Sequence, residues 1–424
     1  MDTNRILRYL KAGHGRGYDT VQKDPEKYRT AVLEMCTKDM SYDIQCEGSR
    51  ARYVFELSML YDDVSPFIDA AVNRFLALSP DDSDHDMWHL CDLVFLYAFE
   101  YNNKAAENAV WEKYNALYGE MMTRRISARL NRVSSAHEYM ALSFISLHRW
   151  EYAEMAARDV GAWFIRRRRA DKEELRWDYC WLQSVMNEEF GEKEMKERLS
   201  HLSKTSKEIR RFFEIMYIEQ QKPKRKGRKI LTESEIRTLA DDIINEPDNK
   251  TKSSLLSSFY YKNIQWLSDI GILIGFAESE DRDLSYHALK ALAKQKNEKV
   301  GEYARKRLSE GDAAHIAKYL PMIVNNYRDS DEETILSILE GITIDDDNSS
   351  GWHSITIDML NTNDDSLPDS LYIWIYENSF CSCCRFDAVE KIVKCGSFTD
   401  EMLTECLHDC DGDIRELAEK ELKS

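Results

Sequence analysis

The side chains best suited to chemistry lie near the C-terminus, where Cys381, Cys383, Cys384, Cys395, Cys406 and Cys410 crowd together with His408 between the last two. A tetrahedral zinc site needs four converging thiolate or imidazole ligands, often built on a C-x2-C knuckle. Cys381 and Cys384 have that interval, and Cys406 and Cys410 lie one helical turn apart. The candidate metal ligands are therefore Cys381, Cys384, Cys406, His408 and Cys410, and a redox sensor is the other chemistry such thiols offer. Against both, Cys384 falls on an apolar line with Ala388 and Ile392, and Cys406 on one with Met402, Leu403 and Leu407, positions that want small hydrophobes. The expectation is core cysteine, with no metal and no cofactor.

A second constellation is basic and aromatic. Arg166, Arg167, Arg168 and Arg169 run together, followed by Trp177 and Trp181, then Arg210-Arg211 and the segment holding Lys224, Arg225 and Lys226. Four consecutive arginines cannot share one helix face, so part of the run is expected to be solvated or paired with Asp171, Glu173 and Glu174. The remainder is a candidate contact for an acidic partner or nucleic acid. Near the N-terminus, Gly13-His14-Gly15-Arg16-Gly17 makes His14 and Arg16 candidate anion contacts. Its glycines alternate and no strand precedes them, so a turn joining two helices is expected instead of a phosphate loop. Asp346, Asn348, Ser350 and Gly351 copy half of a calcium loop, but Ile357 stands where the bidentate acid belongs. No HExxH, no P-loop and no nucleophile beside a base is present, so the chain is expected not to be an enzyme.

The elements that must carry these residues read as helices. Only 16 Gly and 7 Pro punctuate 424 residues, while hydrophobic residues make up 43% and allow a continuous core. Apolar positions at Tyr53, Leu57 and Leu60, then Phe67, Ala71 and Phe75, recur at three and four. Asp62-Asp63 breaks that hairpin and Ser65-Pro66 restarts it. Residues 87–101 and 105–122 form another pair, rich in aromatics that are expected to pack between helices. The formal charge of −18 divides into −6 for residues 1–157, +7 for 158–229 and −19 for 230–424. Three parts follow: an aromatic-rich helical-hairpin region at 1–220, a basic linker at 221–232 and an acidic repeat region at 233–424. The acid-rich balance disfavours a phosphate backbone as partner. No window approaches 18 apolar residues and no secretory signal opens the chain, so a cytoplasmic protein off the membrane is expected.

Two repeat patterns sharpen the fold class. Ala141, Phe144, Leu147, Trp150, Ala153, Ala157 and Val160 occupy the small and large positions of a tetratricopeptide hairpin, which this stretch resembles. Leu284, Ala288 and Leu292, then Val300, Ala304 and Leu308, share one spacing with Cys384, Ala388 and Ile392, and with Ile414, Ala418 and Leu422. With acidic turns ahead at Asp281 and Asp411, these lines resemble second helices of HEAT repeats, of the armadillo-like class. The resemblance implies an all-α fold, an α–α superhelix of antiparallel helix pairs acting as a protein- or peptide-binding scaffold. It also admits a nucleic-acid-binding protein or a HEAT-like DNA glycosylase, in which Asp178 between Trp177 and Trp181 would be the carboxylate beside aromatic walls.

Overall fold

The computed structural model describes residues 3–42, 44–82, 84–123, 128–167, 172–218, 231–261, 264–310, 316–340, 356–357, 359–360 and 367–423. Among them every regular element is helical, and none is long and apolar enough to cross a membrane. The chain divides into two compact units, Met1–Arg225 with His408–Cys410, and Lys226–Leu407 with Asp411–Ser424.

The first unit opens with α1 (Thr3–Lys11), α2 (Gly15–Lys23), α3 (Pro25–Met35), α4 (Ile44–Glu47) and α5 (Ala51–Ser58). It continues with α6 (Ser65–Ala77), α7 (Asp84–Phe95), α8 (Lys104–Thr123), α9 (Ala128–Ile145) and α10 (Trp150–Arg166). It closes with α11 (Lys172–Asp178), α12 (Cys180–Phe190), α13 (Glu192–Leu202) and α14 (Lys207–Phe213). Prolines in the first turns of α3 and α6 start those helices, where a missing N–H costs nothing. The glycine-rich stretch near the N-terminus joins two helices as expected, Gly13 turning the chain at φ 67°. Its later glycines already belong to α2, with the His14 side chain accepting from the Arg16 N–H as N-cap. Gly17 is buried because a Cβ there would stand 2.9 Å from the Tyr53 hydroxyl and 3.0 Å from the Leu10 backbone nitrogen. Glycine there permits a close approach of helices.

Helices α9 and α10 form the hairpin read from Ala141, Phe144, Ala153, Ala157 and Val160, all buried. The same α10 presses on α14. There Gly161 lets the two backbones meet, since a Cβ would lie 2.0 Å from the Glu208 carbonyl oxygen. Helix α7 packs on α5, α6, α8 and α9, and runs on into a stretch of π-helix at Leu96–Glu100. Asn102, in the left-handed region at φ 59°, then turns the chain toward α8.

The second unit contains α15 (Glu233–Asn245), α16 (Asn249–Tyr261), α17 (Ile270–Ala277), α18 (Arg282–Leu292), α19 (Glu298–Ser309), α20 (Ile316–Asn325) and α21 (Glu332–Glu340). It ends with α22 (Asp369–Asn378), α23 (Ser382–Cys395), α24 (Asp400–Cys406) and α25 (Gly412–Leu422). The acidic turns ahead of the apolar lines are N-caps: Asp281 accepts from the Asp283 and Leu284 amides, and Asp411 from those of Asp413 and Ile414. Each cap is worth about 1 kcal/mol. Leu284, Ala288, Leu292, Val300, Ala304, Cys384, Ala388, Ile392, Ile414 and Ala418 are buried as the spacing requires. Two positions depart: Leu308 is only half-buried, and Leu422 is 42% exposed at the last turn of α25.

Between helices of this unit runs a ladder of side-chain amides. Gln295, 1% exposed, accepts from the Trp266 N–H and donates to the Ile264 and Ala291 carbonyls. Asn326 repeats the arrangement one step along, accepting from the Asn297 N–H and donating to the Gln295 and Met322 carbonyls. Trp266 to Gln295 and Asn297 to Asn326 each span 29 residues. Near the C-terminal end Tyr376 bonds Glu405 and Cys406 across 29 and 30 residues. Because every buried amide group of Gln295 finds a partner, the ladder fixes register without leaving a desolvated polar atom.

Candidate ligand-binding groove

In the first unit, helical spacing brings one carboxylate and several rings to a common groove of about 710 Å³. Helix α7 and its π-helical continuation contribute Asp92, Phe95, Leu96 and Phe99, one face at steps of three and four. From α9 come Tyr139, Leu142 and Ser143, again one face, with Ser146 just past its end; α12 adds Trp181 and Val185, one turn apart. Ser49 and Arg52 close the groove from the start of α5. A π-helical segment beside a cavity is a frequent feature of functional sites, because its extra residue re-aims the side chains that follow.

Asp92 is held rigidly. Its Oδ2 accepts from the Ser49 hydroxyl at 2.6 Å and from the Tyr139 hydroxyl at 2.8 Å. Burial pushes its carboxyl up to about 6, while the hydroxyls of Ser49, Tyr139 and Ser143 pull the other way. Tyr139 is itself pushed up, first by burial and then by the charge on Asp92, so it stays a donor. The Tyr139 ring stacks on Trp88 at 5.4 Å and 10°, and meets Trp181 at 6.1 Å and 55°. Trp181 is 53% exposed. At the rim, Arg52 and Glu100 form a two-pronged ion pair, both contacts 2.6 Å.

No family model, no curated protein and no solved structure matches the chain. The site therefore stands on its own geometry. Of the candidate site residues named from sequence, Trp181 is the one among the described residues that lines this groove. Arg167 pairs with Glu174 at 2.9 Å and Asp178 at 2.8 Å, with its guanidinium over the Trp163 ring. That neutralises both the arginine and the carboxylate of the glycosylase reading. Arg166 is exposed at the end of α10, and Trp177 belongs to α11. Arg168, Arg169, Lys224, Arg225, Lys226 and the half calcium loop at 346–351 lie outside the described residues. His14 is buried beside the Tyr9 ring, and Arg16 reaches the Tyr9 hydroxyl at 3.2 Å.

Among the described residues no group of three or more His, Cys, Asp or Glu side chains is placed to hold a metal. Cys406 shares a 3.7 Å contact with Tyr376, and Cys384 one of 3.9 Å with Thr356. A hydrogen bond with Cys381, then burial, keeps the Cys384 thiol protonated. His408 and Cys410 group with the first unit, Cys381, Cys384 and Cys406 with the second.

Sequence reasoning missed Asp92 and Tyr139. The available signal was an acid inside the apolar run Leu90-Cys91-Asp92-Leu93-Val94, on the face that continues through Phe95 and Phe99.

Proposed function

We propose that the protein is a non-enzymatic, cytoplasmic scaffold in which helix pairs stack, within each unit, as in the α–α superhelices of HEAT and tetratricopeptide repeats. The groove of the first unit holds a peptide segment of a protein partner. In favour of the repeat architecture is the ladder of bonds whose partners stand about one hairpin apart in sequence. The binding reading rests on one observation above the others: Trp181, half exposed, and Tyr139 flank an open groove large enough for several side chains.

Selection of displayed peptides on the full chain tests this. Enriched peptides are expected to bind the wild type in solution and to lose about tenfold in affinity on Trp181→Ala, the cost of one aromatic anchor. Tyr286→Ala, at an equally exposed ring in the second unit, leaves binding unchanged. Enrichment of no sequence, or of peptides indifferent to Trp181, overturns the reading.

A further inference from the structure

We propose that the groove selects a peptide segment bearing an arginine or lysine, whose cationic head lies against the Trp181 and Tyr139 rings and on the Asp92 carboxylate; this deepens the peptide-binding reading and rests on it. The charge balance comes first. Arg52 is already engaged, both nitrogens on Glu100, so the charge left over among the lining residues is the negative one on Asp92. An anionic ligand would meet that carboxylate without a counter-ion, whereas a cation satisfies it.

The site is also preorganised. Ser49 and Tyr139 hold the carboxylate in place before any ligand arrives, so little ordering is left for binding to oppose. The rings are likewise set: Tyr139 stacks on Trp88 and meets Trp181 in a tilted pair at 55°, which holds the half-exposed Trp181 ready to take a guanidinium or an alkylammonium on its exposed part.

A third observation comes from the protein's own habits. Elsewhere it seats its cations on rings, Arg198 over Trp150 at 4.6 Å and Arg29 over Tyr61 at 4.8 Å. Among the described residues no internal cation lies over Trp181 or Tyr139, although these two flank a carboxylate. The place such a cation takes elsewhere is here open to a partner's side chain.

The test uses the full chain and labelled nonapeptide pools, with Gly, Ser and Ala flanks and a fixed central Arg, Lys, Gln or Glu, read by fluorescence polarisation. Arg and Lys pools are expected to bind at least about tenfold tighter than Gln, with Glu weakest. Asp92→Asn, which keeps the shape, abolishes the difference between Arg and Gln, and Trp181→Ala weakens every pool. Added salt narrows the Arg–Gln gap in the wild type, a readout that survives if the Asp92 variant fails to fold. Gln and Glu pools binding as tightly as Arg, with Trp181 dependence, would overturn the cation preference and leave the scaffold reading intact. Binding of agmatine with Asp92 dependence but of no pool overturns the peptide occupant. Failure of every probe overturns this inference, and together with an empty peptide selection it overturns the wider reading.

Discussion

His137 shows how far burial sets the behaviour of single groups in this protein. It sits fully buried on α9, its ring 4.6 Å from Tyr114 and 5.7 Å from Tyr118, and neither nitrogen has a partner. Burial pushes the imidazole down to about 3. Because the folded value lies below the unfolded one, the neutral form stabilises the fold fully above about pH 6.5, and that contribution is lost as pH falls toward 3. From pH 6.5 to 5 the loss is on the order of 2 kcal/mol. His137→Leu should therefore gain about 2 kcal/mol on the wild type over that interval, a difference that cancels every titrating group the two proteins share. Identical pH profiles of the two proteins would show that His137 is not the titrating group. A neighbour, Glu138, has the opposite sense: burial raises its carboxyl to about 8, against a hydrogen bond from the Leu182 backbone. Its share of stability is thus fully present below about pH 4.5 and is lost as pH rises toward 8. Neither residue announced itself in the sequence, since a His or Glu at a helical position reads as solvent-facing until the partners around it are known.

At the scale of elements, spacing revealed helices and their buried faces, but not where two backbones touch. Ala153, Ala157 and Val160 mark the packed face of α10 by size and period alone. Gly161 follows them and carries no such mark, because its role depends on Glu208 of α14, 47 positions on in sequence. Gly161→Ala should cost on the order of 3 kcal/mol, read as a lowered melting temperature with helix content retained. Gly119→Ala on α8, where a Cβ meets nothing within 4 Å, should instead stabilise by about 0.5–1 kcal/mol. Equal melting of the two variants would remove the argument for a tight α10–α14 crossing. Asp92 was illegible for a similar reason. What makes it a half-buried, oriented acid is Ser49 and Tyr139, 43 and 47 residues away. Of the N-terminal glycines, Gly13 makes the expected turn, while Gly15 and Gly17 begin α2, and only the nearness of Tyr53 shows that packed helix start.

For the molecule as a whole, the net charge of −18 decides which partners can approach. Its one arginine-rich run is already partly neutralised, Arg167 by Glu174 and Asp178. Duplex and single-stranded DNA should therefore show no mobility shift even in low salt, where a counterion-release term would be greatest. A shift that weakens steadily with the logarithm of salt would revive the nucleic-acid reading. The amide ladder of the second unit bears on how such a chain reaches its native state. Its bonds close over 29 to 31 residues, Trp266 to Gln295 and then Gln295 to Asn326, whereas bonds in the first unit such as His89 to Met35 wait for 54. Short loops close quickly and with little entropy lost. At a synthesis rate of roughly 5–20 residues per second, each rung can form within seconds of the one before, as its helix leaves the ribosome. The second unit is thus built to assemble in the order in which it is translated, with little apolar surface left waiting for a distant partner.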